Sequence, residues 1–460
     1  MSERVGALTN SEILSRICES GGRVYFIGVG GVSMRSLFCL CRHFGILASG
    51  SDRRGEPLIN SLIKVGEDIV IGERESLPPD TRLIVYSHAI PESHPERVWG
   101  EKNGVPAVSR ARFLGAFMKC YERRIGVSGE HGKSTVTAML AKIFSDAKRS
   151  PTVLSGAALF GSRLPFQIGS LDYLIYEACE YKDSFLEFSP SLAVFLNIEL
   201  DHTDYFENID RLSESFLLAM QRAEKILVNA DDPRLLSIAL RSGRRVVTFG
   251  KAAFADYRYE VCSDKGGELS FKFLRGDREE GELKLPMLGE FNISNATAAI
   301  AAAIEEGIDF ESAARALSVF GGIERRLENI GEYRGRKIYY DYAHHPTEIR
   351  ESVRAIKGAG EGKVTVIFRP HTYSRTEGLW DGFVASLSLA DFVIMLDIDA
   401  VREEKSARVD ALRLAEAVGG RYCRGESEIL SLLEETAGDI ILMGAGEVEG
   451  VKKLLTNGCK

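Results

Sequence analysis

Short apolar runs alternate with helix-length stretches of mixed character along almost the whole chain, the pattern of a parallel α/β layer structure. Arg23-Val24-Tyr25-Phe26-Ile27 reads as a buried strand. The glycine-rich turn Gly28-Val29-Gly30-Gly31-Val32-Ser33-Met34 follows it, and a helix is predicted from there through Leu37 to Cys41. Ile46-Leu47-Ala48 predicts a second strand, ended by Ser49-Gly50-Ser51-Asp52, with further strands over 68–70 and 82–86. A glycine-rich turn with an acid after the next strand is the dinucleotide-binding arrangement. Ser33 takes the place of the third glycine, and on this loop alone a nicotinamide dehydrogenase stays open.

A second block carries the apolar runs Tyr173-Leu174-Ile175-Tyr176, Leu192-Ala193-Val194-Phe195-Leu196 and Lys225-Ile226-Leu227-Val228-Asn229, again separated by helical lengths. Between 257 and 285 the period changes to alternation about a Lys265-Gly266-Gly267 turn, which predicts a small antiparallel insertion. The alanine-rich stretch 296–303 predicts a buried helix. A third block begins near Gly321-Gly322 and has strand candidates at 337–341, 364–368, 392–397 and 440–443. The expected fold is therefore α/β, with three successive domains over residues 1–110, 111–322 and 323–460.

At 460 residues, with 45% hydrophobic and 27% charged positions, the chain has the composition of a soluble multidomain protein. A net charge of -8, with no basic run, argues against a nucleic-acid surface. No apolar stretch reaches membrane-spanning length, and the N-terminus lacks the features of a secretory signal. The eight cysteines are dispersed without a C-x-x-C pair, as expected of buried thiols in a reducing compartment. The expectation is a cytoplasmic protein, monomer or homodimer, without membrane insertion.

Chemistry concentrates where strands end. After Ile125-Gly126-Val127 stands Gly129-Glu130-His131-Gly132-Lys133-Ser134-Thr135, and a helical pattern starts at once. Strand, glycine-bounded turn and helix make a phosphate cradle: backbone N–H groups face the anion, the lysine adds a charge, and the hydroxyl can ligate Mg²⁺. Glu177 follows one strand and Asn197-Ile198-Glu199-Leu200-Asp201-His202 the next. If both strands neighbour the loop, Glu177 and His202 converge on a metal held by Ser134, with His202 better suited to a second ion. Glu180 could replace Glu177, and Asp201-His202 could instead cap a helix beginning near Asp204. Asp341-Tyr342-Ala343-His344-His345-Pro346-Thr347-Glu348 ends another strand and opens a helix with Pro346 in its first turn; Thr347 could cap it. Arg369-Pro370-His371-Thr372-Tyr373-Ser374-Arg375-Thr376 is a basic, hydroxyl-rich strand end suited to a carboxylate or phosphate.

Together these segments resemble the Mur ligase family, over nearly the whole chain and in the family's order. The resemblance implies a Rossmann-like N-terminal domain that binds a UDP-sugar, a central phosphate-loop ATPase-type domain and a Rossmann-like C-terminal domain. Gly28, Gly30, Gly31, Val32, Ser33, Met34, Ser51 and Asp52 would then bind the UDP-sugar, covered by Ser87, Ala89 and Ile90 of Ser87-His88-Ala89-Ile90. Residues 129–135 would bind ATP with Asn292, Asn295, Arg326 and Asp341. Lys133, Glu177, His202 and His344 would serve catalysis; Ser134, Glu177 and His202 would hold Mg²⁺. Tyr342, His371 and Arg375 would bind an amino acid, with Arg375 favoured for its carboxylate. The implied reaction is ATP-dependent ligation of L-alanine to the carboxylate of UDP-N-acetylmuramate through an acyl phosphate. Alternatives are another amino acid or a recycled murein peptide on the same sugar, a folate-polyglutamating ligase, or a nucleotide-binding regulator without catalysis. The chain departs from the family's usual residues at Glu130 (threonine), Cys179 (aspartate), Phe291 (histidine), Asp399 and 407–410. Glu130 should repel a triphosphate unless its side chain turns away or meets a metal.

Overall fold

The computed structural model describes residues 8–457 apart from 56, 204, 266, 361, 401, 402 and 447. Its first sheet contains β1 (Arg23–Ile27), β2 (Leu47–Asp52), β3 (Ile69–Ile71), β4 (Thr81–Tyr86) and β5 (Ala107–Ser109), all parallel in the order β3-β2-β1-β4-β5. The order reverses between β1 and β4, which opens a crevice at their carboxyl ends beside the glycine-rich turn. The second strand runs on through Ser51 to Asp52, so the acid is the last strand residue.

The second sheet contains β6 (Arg123–Ser128), β7 (Thr152–Leu154), β8 (Phe166–Gln167), β9 (Tyr173–Glu177), β10 (Leu192–Phe195), β11 (Lys225–Asn229) and β12 (Arg245–Gly250). It continues with β13 (Tyr257–Lys265), β14 (Glu268–Arg275) and β15 (Arg278–Leu285). The order is β15-β14-β13-β12-β11-β10-β6-β9-β7-β8. The phosphate-loop strand β6 thus lies between β10 and β9, parallel to both, with Ser128 level with Phe195 and Val127 level with Glu177. That register brings the strand ends carrying Glu177 and Asn197 to the same edge as the loop.

The antiparallel segment is no separate insertion: β12 pairs with β13 in parallel, so the hairpins extend the central sheet. The reason is packing. Tyr257, Tyr259, Phe271, Phe273, Leu283 and Leu285 all bury into one cluster with the alanine-rich helix Phe291–Glu305. Gly266 of the expected turn lies outside the described residues.

The third sheet contains β16 (Glu328–Tyr333), β17 (Arg336–Asp341), β18 (Val364–Phe368), β19 (Phe392–Met395), β20 (Arg421–Tyr422) and β21 (Asp439–Met443). Its order is β16-β17-β21-β18-β19-β20, parallel except for β16. Two helix starts differ from expectation. Asn208 caps Ile209–Gln221, accepting from the N–H of Asp210 and Arg211 at 3.1 and 2.9 Å, so Asp201-His202 is not a cap; Asp204 lies outside the described residues. His345, not Thr347, caps Pro346–Ala359, and Glu348 completes a capping box.

The units are joined in two different ways. One continuous apolar cluster runs from Phe26 of the first unit through Phe113 of the joining helix to Tyr176, Phe195 and Phe216 of the second. The third unit has its own clusters, and among the described hydrophobic residues Leu288 and Phe291 of the second pack against them. Helix Arg110–Phe117 belongs to the shared core. A Cβ at Gly115 would overlap the carbonyl oxygen of Glu187, so the glycine permits close approach of two backbones. Gly115→Val is expected to lower stability by about 1–3 kcal/mol through overpacking. The check is urea unfolding, where the midpoint falls and the slope is unchanged.

Candidate active site

The phosphate loop needs both of its glycines. Gly129 and Gly132 have φ of 138° and 85°, and a Cβ on Gly132 would sit 2.5 Å from Asn295 Oδ1. Gly132 offers no side-chain cap to helix Lys133–Asp146, which leaves the amide end of the helix open to an anion. Asn197, at the end of β10, clamps the loop: its Oδ1 accepts from His131 N at 2.9 Å and its Nδ2 donates to His131 O at 3.0 Å. Lys133 folds back over the loop, donating to the carbonyls of Gly129 and Glu130 and pairing with Glu180 Oε2 at 3.3 Å. Burial works against its charge, but Glu180 and Glu130 hold its pKa above the ordinary lysine value.

Glu130 faces Asp201 and His202, with one ligating atom of each within 4.8 Å of the others. Burial, then the neighbouring Glu180, pushes its carboxyl well above the usual range, which favours the neutral form and weakens the expected repulsion of phosphates.

Beside the loop is a cavity of about 270 Å³. Its walls include Gly132 and Thr135 of the loop, Asn292 and Asn295 of the alanine-rich helix, and Arg326 and Asp341 of the third unit. Phe291 also lines it, where the sequence departs from the family's histidine. Asn295 Nδ2 donates to Asn292 Oδ1 at 3.1 Å, and Asn292 Nδ2 to Leu288 O at 2.8 Å. Asp341 is buried and accepts from Ser352 Oγ at 2.6 Å and Ala343 N at 3.1 Å. Burial pushes its pKa up to about 6 against the pull of Arg326.

Several side-chain contacts cross from the loop's unit to the third. His131, whose Nε2 meets Glu199 Oε2 of its own unit at 3.0 Å, reaches across with Nδ1 to Glu348 Oε1 at 3.3 Å. Thr347 Oγ1 donates to Glu199 Oε1 at 2.6 Å. Arg375 forks onto Asp201, Nε to Oδ1 at 3.0 Å and Nη2 to Oδ2 at 2.7 Å, in a pair nearly closed to solvent. Burial opposes the charge on His131, but the two carboxylates push its pKa up to about 10. Burial likewise opposes ionisation of Glu348, yet His344, His131 and Arg326 hold it well below the carboxylate range.

Arg375 Nη1 also lies 3.0 Å from His371 Nδ1. The His371 and His344 rings are 6.0 Å apart, and those of His344 and Tyr342 are 5.3 Å apart. The four residues therefore form one contiguous cluster. His344 Nδ1 lies 3.0 Å from Tyr342 O, and burial lowers its pKa to about 4.

Glu177 and His202 are at the right sheet edge but in different company. Glu177 accepts from Ser155 Oγ at 2.8 Å and from Gly156 N, whereas His202 stands beside Glu180 and Cys179. In the first unit Gly30 N donates to Asp52 Oδ2 at 2.7 Å, and a Cβ on Gly30 would collide with that oxygen. Ile90 covers Gly28, and Gly31 precedes helix Val32–His43 with Val32 exposed and Ser33 half-buried. Ser87 and Ala89 flank the same covering turn, closed by Ile90 N donating to Ser87 O at 3.0 Å. Two residues face inward instead: Met34 is in the core, and Ser51 Oγ donates to the buried Glu96 at 2.6 Å. Any ligand contact from either must come from the backbone.

Glu348, Glu199 and Asn197 emerge as organising side chains that sequence reasoning left inside motifs without a role, and Asp201, expected at most as a helix cap, instead holds Arg375. Glu348 carried one signal, its position three residues after a helix cap, which reads equally well as capping alone.

A phosphate loop whose cavity is walled by a following α/β unit defines a nucleotide-dependent enzyme of several domains. The chain belongs to the Mur ligase family. Residues 23–122 match the Mur ligase family catalytic domain, 127–303 the Mur ligase middle domain, and 325–446 the Mur ligase glutamate ligase domain. It is 37% identical over 445 residues to the UDP-N-acetylmuramate--L-alanine ligase of Caldicellulosiruptor saccharolyticus, covering 94% of this chain and 98% of that one. It is 37% identical over 437 residues to the enzyme of that name from Clostridium acetobutylicum, covering 93% and 95%. In fold it matches the crystal structure of the UDP-N-acetylmuramate-alanine ligase of Thermotoga maritima, with a TM-score of 0.79 at 24% identity over 95% and 98% of the two chains. A murein peptide ligase of Psychrobacter arcticus gives 0.67 at 23% identity over 95% and 99%.

The pKa of His131 sets a pH window. Its folded value of about 10 exceeds the ordinary 6.5, so the stabilisation is complete below about pH 6.5 and is lost as pH rises through 10. His131→Gln should remove about 1.5–3 kcal/mol at neutral pH, the worth of a hydrogen bond between charged partners. Denaturant unfolding of both proteins across that window should show the wild type converging on the variant; a constant gap would contradict the assignment.

Proposed function

We propose that this protein ligates L-alanine to the lactyl carboxylate of UDP-N-acetylmuramate, consuming ATP, in the cytoplasmic synthesis of a peptidoglycan precursor. The observation that carries this reading is the cavity shared by the phosphate loop and the third unit, lined by His131, Gly132 and Thr135 of the loop and by Asp341 and Glu348 of the third unit, next to the cluster of Tyr342, His344, His371 and Arg375. The curated relatives' printed name supplies the substrates. Residues 1–110, 111–322 and 323–460 would be the sugar-nucleotide, ATP and amino-acid domains.

In this reading the muramate carboxylate attacks the γ-phosphorus of ATP, ADP leaves, and the amine of alanine then displaces phosphate from the acyl phosphate. No side-chain nucleophile is needed, and positioning and charge neutralisation supply the rate. Lys133, released from Glu180, neutralises the migrating phosphoryl group. Asn292, Asn295, Arg326 and Asp341 hold the nucleotide. Neutral His344, its Nδ1–H donated to Tyr342 O, leaves Nε2 as acceptor for the amine's proton. The alanine carboxylate competes with Asp201 for Arg375.

The hydroxyl of Ser134 and the carboxylate of Glu177 are hard oxygen donors and fit Mg²⁺, with His202 nearer to a second ion. Bound there, the ion would neutralise phosphate charge. Glycine-rich residues 28–31 and Asp52 would cradle the UDP moiety under Ser87, Ala89 and Ile90.

Phosphate release with UDP-N-acetylmuramate, ATP, Mg²⁺ and a panel of amino acids tests the assignment. L-Alanine should exceed glycine by roughly tenfold, since one methyl group contributes about 1–3 kcal/mol of discrimination. Acidic and long basic amino acids should be inactive, and best activity with a murein peptide would overturn the reading. Lys133→Ala should lower kcat by about 10²–10³-fold, as loss of one electrostatic stabiliser does, while UDP-N-acetylmuramate still binds by calorimetry.

A further inference from the structure

We propose that Cys179, Glu180 and His202 form a site for a thiophilic divalent cation of the Zn²⁺ class, next to the phosphate loop. The thiol sulfur, a carboxylate oxygen and an imidazole nitrogen lie within 4.8 Å of one another. Glu180 Oε1 and His202 Nε2 are 3.6 Å apart. Two ligands on one tetrahedral centre with bonds of about 2.0–2.3 Å are about 3.3–3.8 Å apart, so this pair already has the spacing a bound ion requires. Shifts of about 1 Å at the sulfur would complete a three-ligand set with an open fourth position.

A second observation points to a ligand. The Glu180 side chain is 1% exposed and its Oε1 has no hydrogen-bond partner. A buried carboxylate oxygen facing a thiol and an imidazole is costly unless a cation or proton meets it. Its other oxygen accepts from Lys133 at 3.3 Å. His202 is held in place by a left-handed backbone, φ 50°, and by the Tyr181 ring at 4.5 Å. From its other side Glu130 and Asp201 come within ligand reach, although Asp201 is committed to Arg375.

The sulfur sets the preference. Mg²⁺ takes oxygen ligands, whereas thiolate and imidazole suit Zn²⁺ and Co²⁺. The site shares His202 with the set proposed for Mg²⁺ but not Ser134 or Glu177, and it does not rest on the ligase reading. On binding, the Cys179 S–H bond gives way to a sulfur–metal bond and one proton goes to solvent. Because Glu180 also holds Lys133, an ion here draws that carboxylate away from the loop lysine.

The test is titration of the full-length protein, without substrates, with Co²⁺. A saturable thiolate-to-cobalt charge-transfer band is expected at one ion per chain, discharged by Zn²⁺ and not by excess Mg²⁺. Cys179→Ser should abolish the band, and Glu180→Gln should weaken cobalt binding at least about tenfold while keeping the sulfur signature. No saturable band in the wild type, or a band that survives Cys179→Ser, would overturn the site. If Cys179→Ser fails to fold, the same decision falls to Glu180→Gln, where unchanged affinity overturns it.

Discussion

The third unit is fastened to the rest by charge, with a small apolar contact at Leu288 and Phe291 and no shared core, and the arrangement of the site follows from that. Glu348 is the centre of the joint: ionised and half-buried at the cavity wall, it accepts from His131 of the phosphate loop, from Arg326, and from the N–H of His344 and His345. Arg375 and Asp201 form a second crossing. Removing one partner of such a buried pair strands the other, at about 3–5 kcal/mol. The joint therefore holds firmly while its partners are present. The cations nearest the phosphate cradle are each engaged by a carboxylate, Lys133 by Glu180 within its own unit and His131 by Glu199 and, across the junction, by Glu348. An incoming triphosphate competes with Glu180, Glu199 and Glu348 for the same positive groups, so ligand binding and the junction between units draw on one set of interactions.

The contrast with the first two units is physical. Their shared cluster from Phe26 through Phe113 to Tyr176 and Phe216 resists displacement, because separating it would expose large aromatic surfaces to water. Ion pairs can exchange partners without that penalty when another charge arrives. The crevice beside the glycine-rich turn and the phosphate loop thus sit in one body, and the cluster of Tyr342, His344, His371 and Arg375 is brought to it by contacts that a charged ligand can replace.

Much of this was legible in the chain. The order of apolar runs gave the three α/β layers, and the run before Gly129 together with the pattern after Ser134 located the phosphate loop between strand and helix. Convergence of Glu177 and Asn197 on that loop required β9 and β10 to flank β6, a condition on sheet order that alternation alone leaves open. The hairpins at 257–285 read as an insertion because alternation is local, whereas the pairing of Phe249 with Tyr257 that joins them to the main sheet is a tertiary fact. Charge partners were least legible. Asp201 looked like a helix cap and Arg375 like a free anion binder; their pairing spans 174 positions and depends on how two domains meet. Glu130 was read as a repulsive departure, and only its burial beside Glu180 and Asp201 explains why its charge is suppressed.

In the proposed reaction a carboxylate is activated by phosphoryl transfer at the shared cavity. The most direct measurement supplies UDP-N-acetylmuramate whose lactyl carboxylate oxygens are heavy-isotope labelled, with ATP, Mg²⁺ and L-alanine, and follows the label by mass spectrometry. Attack of that carboxylate on the γ-phosphorus carries one labelled oxygen into inorganic phosphate for each amide formed. Label in phosphate at a one-to-one ratio with UDP-N-acetylmuramoyl-L-alanine is the predicted result. Amide formed with both labelled oxygens absent from phosphate, or ATP hydrolysed with no labelled phosphate and no amide, would contradict it.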